Sequence, residues 1–202
     1  MTLTLNKGFW YPLGGGGGDD DDMIFISKST ASSASSLEIT SGIDSTYPIY
    51  KIYGNDIITS ASAGPKLGYQ VSIDGGTSYG QTATTVNYDL VAYASAASGE
   101  HATQQTGEVY HGVTTLQTIG IGTGSTGHAG FEMTFYSPSL TSANYKMFDC
   151  ICTVSNDAAA YVRRFVTATM FNVGTNDIDA IEFKTSSGTF DGVFTLYGIK
   201  DS

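Results

Sequence analysis

The side chains able to carry chemistry are few and scattered. Three histidines, His101, His111 and His128, lie outside the strand candidates and too far apart for a helical metal motif. Glu100 and Glu108 sit near two of them in sequence, but the spacing does not bring them together. Cys150 and Cys152 are two residues apart, which on a strand puts both on one face and sets them poorly for a mutual disulfide. A zinc site needs two further ligands, and the sequence has no second cysteine pair. Both cysteines therefore read as small buried hydrophobes on the face shared by Phe148 and Val154. Asp19, Asp20, Asp21 and Asp22 are rich in oxygen ligands without EF-hand spacing, so they meet a cation or stay a solvated acid run. No metal site and no cofactor is assigned.

Two motifs invite a functional reading. Gly122-Thr123-Gly124-Ser125-Thr126-Gly127 spells G-x-G-x-x-G, but a dinucleotide loop needs a helix after it, and the alternating run Phe131–Tyr136 that follows is a strand. It reads as a hairpin tip. Ser72-Ile73-Asp74-Gly75-Gly76-Thr77-Ser78-Tyr79 resembles the Asp-box hairpin of sialidases and other β proteins. In such a box the Asp caps turn amides, glycine supplies positive φ and the aromatic covers the base. One copy makes a hairpin staple, not a propeller. There is no G-x-S-x-G elbow, H-E-x-x-H or Walker loop, and the carboxylates Asp44/Asp56 and Asp177/Asp179 fall in turn or edge settings. Arg163-Arg164 is the only adjacent basic pair, and on a strand its members point to opposite faces, one to an ion pair. The chain reads as no enzyme.

The elements that must position these residues are strands. Of 202 residues 41% are hydrophobic and only 14% charged, so the polar surface is built from Ser, Thr, Asn, Gln and Gly. Tyr69, Val71 and Ile73 alternate with polar residues, as do Phe131, Met133 and Phe135. Further strand candidates are Tyr47–Tyr53, Val86–Tyr93, Thr114–Ile121, Tyr145–Val154, Val162–Thr169, Ile178–Phe183 and Val193–Ile199, separated by Gly, Pro and Asn turn signals. Ala158–Tyr161 has room for one helical turn; no longer helical period exists. Ala94–Gly107 and Gly120–Gly130 read as long polar loops. Eight to ten strands without helices predict an all-β, jelly-roll-like antiparallel β-sandwich over residues 23–202.

Residues 1–22 differ in composition and form an extended N-terminal arm. Phe9, Trp10 and Tyr11, holding the only Trp, are the docking residues, since Trp and Tyr dominate binding hot spots. Gly14, Gly15, Gly16, Gly17 and Gly18 form a linker and Asp19–Asp22 a charged spacer. The arm binds a partner or folds back on its own domain. Net charge is −10, from 19 acidic and 9 basic residues, which repels phosphate and disfavours nucleic acid or an anionic membrane surface as partner. Met1–Leu13 lacks a basic, then apolar, secretory pattern, and no window approaches a membrane span, so no membrane insertion is expected.

The run Ser29–Tyr47, with Val71–Tyr79, Ile178–Gly188 and Gly192–Ile199 following in order, resembles virion proteins of marine and freshwater tailed phages, cyanophages especially. The resemblance spans about residues 23–200. It implies a virion structural subunit, assembled in the host cytoplasm, with other virion proteins as partners and a homotrimer as the expected oligomer. Tail fibre or spike subunit, capsid decoration (cement) protein, and host-glycan-binding module through Tyr88–Tyr93 or Gly107–Gly112 are the readings that follow. No catalytic residue comes with it.

Overall fold

The computed structural model describes residues 22–60, 66–93, 103–113, 117–121, 127–156 and 161–200. They form twelve strands: β1 (Met23–Ala34), β2 (Ser36–Ile39), β3 (Ile49–Thr59), β4 (Leu67–Ser72), β5 (Thr82–Tyr93), β6 (Thr103–Val113), β7 (Gln117–Ile121), β8 (Ala129–Tyr136), β9 (Tyr145–Asn156), β10 (Tyr161–Asn172), β11 (Ala180–Thr185) and β12 (Phe190–Ile199). No helix occurs among the described residues. Two antiparallel sheets result, one of eight strands in the order β1-β12-β3-β8-β9-β10-β5-β6 and one of four in the order β2-β11-β4-β7. The expected all-β sandwich holds.

Period-2 alternation decides which face each residue takes. In β8 Ala129, Phe131, Met133 and Phe135 are buried while the residues between them are not. β12 alternates in the same way, burying Phe190, Phe194 and Leu196. The small sheet contributes Leu37, Ile39, Leu67, Tyr69, Val71, Ile181 and Phe183 to the same core. Rings from the two sheets interlock. Phe183 of the small sheet lies 5.6 Å from Phe131 and 4.7 Å from Phe194, centroid to centroid. Tyr69 lies 6.4 Å from Phe148 and 6.1 Å from Phe171. Gly54 pairs with Phe131 across β3 and β8, and a Cβ there would stand 2.1 Å from the Phe131 ring, so the ring lies flat on the strand only because that residue is glycine.

Four polar groups in this core are satisfied. The Tyr69 hydroxyl meets Thr169 Oγ1 at 2.8 Å, and Thr169 meets Thr85 Oγ1 at 2.9 Å, tying the small sheet to β10 and β5. Lys146, 1% exposed, donates from Nζ to the carbonyls of Leu140 and, at 2.8 Å, Ala143, which fixes the turn before β9. Burial pulls that ammonium below the ordinary lysine range, with Asp177 opposing.

Several expectations need correction. The segment expected as loop Ala94–Gly107 turns into β6 at Thr103, because β5 supplies a long partner whose ladder runs from Ala83↔Val113 to Val91↔Thr103. Twelve strands replace eight to ten, the additions including β1 and β2, whose Ser- and Thr-rich residues gave weak alternation. Tyr161 opens β10; residues 158–160 of the expected helical turn lie outside the described residues.

Phe148→Ala removes a ring that touches Tyr69, Phe135 and Phe171. It should cost about 3–5 kcal/mol in urea unfolding. Tyr69→Phe leaves the Thr85–Thr169 pair intact and should cost only about 1 kcal/mol. Equal losses would mean that the hydroxyl, not the rings, joins the sheets.

Candidate interaction surface

The residues singled out for chemistry mostly serve the backbone. Ser72 Oγ meets Asp74 Oδ1 at 2.7 Å and accepts from the amide of Gly76 at 2.9 Å, while Asp74 accepts from the Ser78 amide at 2.9 Å. Gly75 and Gly76 carry the positive φ the turn requires, 70° and 85°. Local capping is thus as expected, but the hairpin is not. β4 and β5 belong to different sheets, so Ser72–Tyr79 carries the chain from one sheet to the other. A second acid fixes it, for Asp179 accepts the Gly75 amide at 3.0 Å on both oxygens. Tyr79 is half-buried, within electrostatic reach of Glu38 on β2 and Glu182 on β11. Burial, then the Glu38, Glu182, Asp179 and Asp74 carboxylates, push its phenol up to about 12. Asp44 accepts from the Thr46 amide at 2.7 Å and from the Tyr50 hydroxyl at 2.9 Å.

Cys150 and Cys152 are free, buried and on the face of Phe148 and Val154, as expected. Burial raises both thiols, Cys152 to about 12, which leaves no thiolate for nucleophilic chemistry at neutral pH. His111 lies in β6, His128 is exposed just before β8, and His101 falls outside the described residues. No group of three or more His, Cys, Asp or Glu among the described residues is placed to hold a metal ion. Arg163 and Arg164 do point to opposite faces. Arg163 pairs with Asp89, its Nε 3.4 Å from Oδ1, and lies 4.9 Å from the Phe165 ring centroid, while Arg164 is exposed. Tyr88–Tyr93 and Gly107–Gly112 are not loops but parts of β5 and β6. Gly122–Thr126, Phe9, Trp10, Tyr11, Gly14–Gly18 and Asp19–Asp21 lie outside the described residues. Asp22 is described, and its carbonyl accepts the Lys200 amide at 2.9 Å.

The surface with the most unusual composition is the outer face of the eight-stranded sheet. β9 and β10 carry apolar residues on both sides. Their inner positions hold Phe148, Cys150, Cys152, Val154 and Phe171, and their outer positions Tyr145, Met147, Ile151, Val162, Val166 and Met170. The register aligns these outward residues into rows. One row runs Met23, Ile199, Ile49, Tyr136, Met147, Met170, Thr84 across seven strands. Another runs Ile151, Val166, Tyr88. Val86, Tyr88, Met147, Ile151, Val162 and Val166 are each between 40% and 59% exposed. With Tyr136 and Tyr145 they present on the order of 550–730 Å² of surface, taking about 150–200 Å² per large side chain. That lies at or above the upper end of the ~300–600 Å² of the largest patch on an ordinary monomer.

The face also has relief. Ala168, the smallest outward residue of β10, stands between Val86 and Asp149 and floors a depression of about 250 Å³ walled by Thr84, Val86, Met147, Asp149 and Met170. Asp149 accepts a hydrogen bond from the Tyr136 hydroxyl at 3.0 Å. Next along the face, Lys51 and Glu132 form an ion pair. Sequence reasoning did not identify this surface, although its signal was present. Strands that are apolar at both odd and even positions read as buried on both faces, and the described residues place no element over the outer one.

No protein-family model matches the chain, and no curated protein matches it.

Hydrogen bonds from Ser72 and Ser78 hold the Asp74 carboxyl down at about 2. The folded value lies below the unfolded one of about 3.9, so its contribution to stability is complete above that value and fades as pH falls toward about 2. Carbon-detected NMR should find a midpoint near the lower value, and Asp74→Asn should flatten acid unfolding over this window. A midpoint near 4 contradicts the capping geometry.

Proposed function

We propose that the chain is a non-enzymatic structural subunit of a tailed-phage virion, a surface appendage of the tail-fibre or spike type docked by its N-terminal arm. The observation that carries this reading is the broad apolar outer face of the eight-stranded sheet, a surface built for covering by protein, not for turnover of a small molecule. The acids that drew attention in the sequence, Asp44, Asp74 and Asp179, are spent on turn amides, which favours a structural role over a catalytic one.

Strand order supports the finer jelly-roll reading. β1, β2, β3 and β4 pair with β12, β11, β8 and β7 respectively, as one long antiparallel ribbon rolled into two four-stranded layers would pair them. β5–β6 and β9–β10 are then insertions that widen one layer beyond β8. The arm joins the domain at Asp22, at the start of edge strand β1, beside outward-facing Phe25 and Tyr197, whose ring centroids lie 5.9 Å apart. Phe9, Trp10 and Tyr11 are its anchor to another virion protein and Gly14–Gly18 its tether. Self-association, expected from the sequence as a homotrimer, belongs to the same reading. Capsid decoration is the alternative place on the particle. The host-glycan alternative loses support, because its two tyrosine-bearing segments are strands.

Deleting residues 1–21 keeps Asp22 and its bond to Lys200. The shortened chain should fold with an unchanged β-type circular dichroism spectrum and fail to enter particles. Incorporation at the full-length level would sink the docking role. A copy number following the capsid lattice instead of the tail's symmetry would move the protein to the decoration class.

A further inference from the structure

We infer that the outer face of β5, β9 and β10 is a self-complementary interface on which a second copy of this chain seats sheet to sheet about a two-fold axis. The inference rests on the reading above of this face as one covered by protein, names the partner for it, and puts a two-fold dimer in place of the homotrimer expected from the sequence. Three observations carry it.

The first is area. The patch of on the order of 550–730 Å² approaches the ~800 Å² per partner of a standard specific interface. The second is charge. The chain is strongly acidic, yet the charged groups on this face balance: Lys51 is paired with Glu132, and exposed Asp149 is matched by exposed Arg164. A second acidic copy meets no net repulsion there.

The third is shape, and it fixes the axis. Outward residues of β10 run Val162, Arg164, Val166, Ala168, Met170, and the register sets Val166 beside Ile151 of β9 and Tyr88 of β5. A two-fold axis along the row Tyr88, Val166, Ile151 lays each of these on its own counterpart. It lays Val162 of one copy on Met170 of the other, and Leu90 on Val86. It also lays Arg164, the longest side chain of the series, on Ala168, the shortest. The depression over Ala168 thus receives an arginine. Its apolar stem lies against Val86 and Met170, and its guanidinium reaches Asp149 on the neighbouring strand. Both copies make this contact, so one arginine and one aspartate per chain give two ion pairs per dimer. The strands of the two sheets run roughly aligned, the common mode of sheet-on-sheet packing.

The test is sedimentation of the purified full-length chain over a dilution series reaching about 100 µM, a range in which an interface of this size associates measurably. A mass of twice the chain is expected. Val166→Asp, at the axis and already exposed, should weaken the dimer about a hundredfold or more by facing two carboxylates, with circular dichroism unchanged. Arg164→Asp alone should weaken it, and Arg164→Asp with Asp149→Arg should restore it. A monomer at all concentrations, a trimer, or a dimer indifferent to both substitutions would overturn the inference. So would a monomer that dimerises only when residues 1–21 are removed, since the arm of the same chain would then be the occupant. Failure here is separate from failure of the virion role, which is read from incorporation into particles and not from the mass of the free chain.

Discussion

The interlocking of aromatic rings between the two sheets is the contact on which the rest of the molecule depends. Phe183 and Tyr69 enter from the small sheet, and Phe131, Phe194, Phe148 and Phe171 close around them from the large one. These rings belong to strands distant in sequence, so closing the sandwich fixes β4 and β11 against β8, β9, β10 and β12 at once. Burial of ring area is non-directional, but stacked and edge-on geometry is not. The Tyr69–Thr169–Thr85 hydroxyl chain adds a polar constraint that only one register of β5, β10 and β4 satisfies.

From that contact follows the asymmetry of the layers. Four strands face eight, and the surplus comes from the β5–β6 and β9–β10 hairpins laid side by side beyond β8. Their inner positions are used by the core, as Phe148, Cys150, Cys152 and Phe171 show. Their outer positions carry Met147, Ile151, Val162, Val166, Val86 and Tyr88, where an ordinary antiparallel sheet would turn Thr, Lys or Glu to water. Apolar area of this extent lowers solubility unless it is covered. The net charge of −10 offsets that cost for the free chain, and the paired charges on the face itself keep the surface compatible with a like partner.

Much of the fold was legible because alternation is local. Phe131–Tyr136 and Tyr145–Val154 declared themselves as strands, and Cys150 and Cys152 as core, from period alone. The β6 strand was not legible. Thr103–Val113 is Gln-, Gly- and Thr-rich, and only pairing with β5 makes it a strand. Capping by Ser72, Asp74 and Ser78 could be read, whereas the support from Asp179 comes from a residue more than a hundred positions away. The candidate surface was half visible. Apolar residues at both parities of β9 and β10 could be counted, but which set faced the small sheet, and that the other set lay open, follows from long-range sheet order. The depression at Ala168 depends on three strands in register and has no sequence signature.

The central claim is that a second copy of this chain covers this face, and solvent access to one side chain tests it. Met147 is the most exposed residue of the patch, while Met133 is fully buried in the core and serves as an internal control. Hydroxyl-radical footprinting of the full chain, dilute and then concentrated, should show Met147 oxidised when dilute and protected when concentrated, with Met133 protected in both. Oxidation of Met147 independent of concentration, whether high throughout or absent throughout, would contradict it.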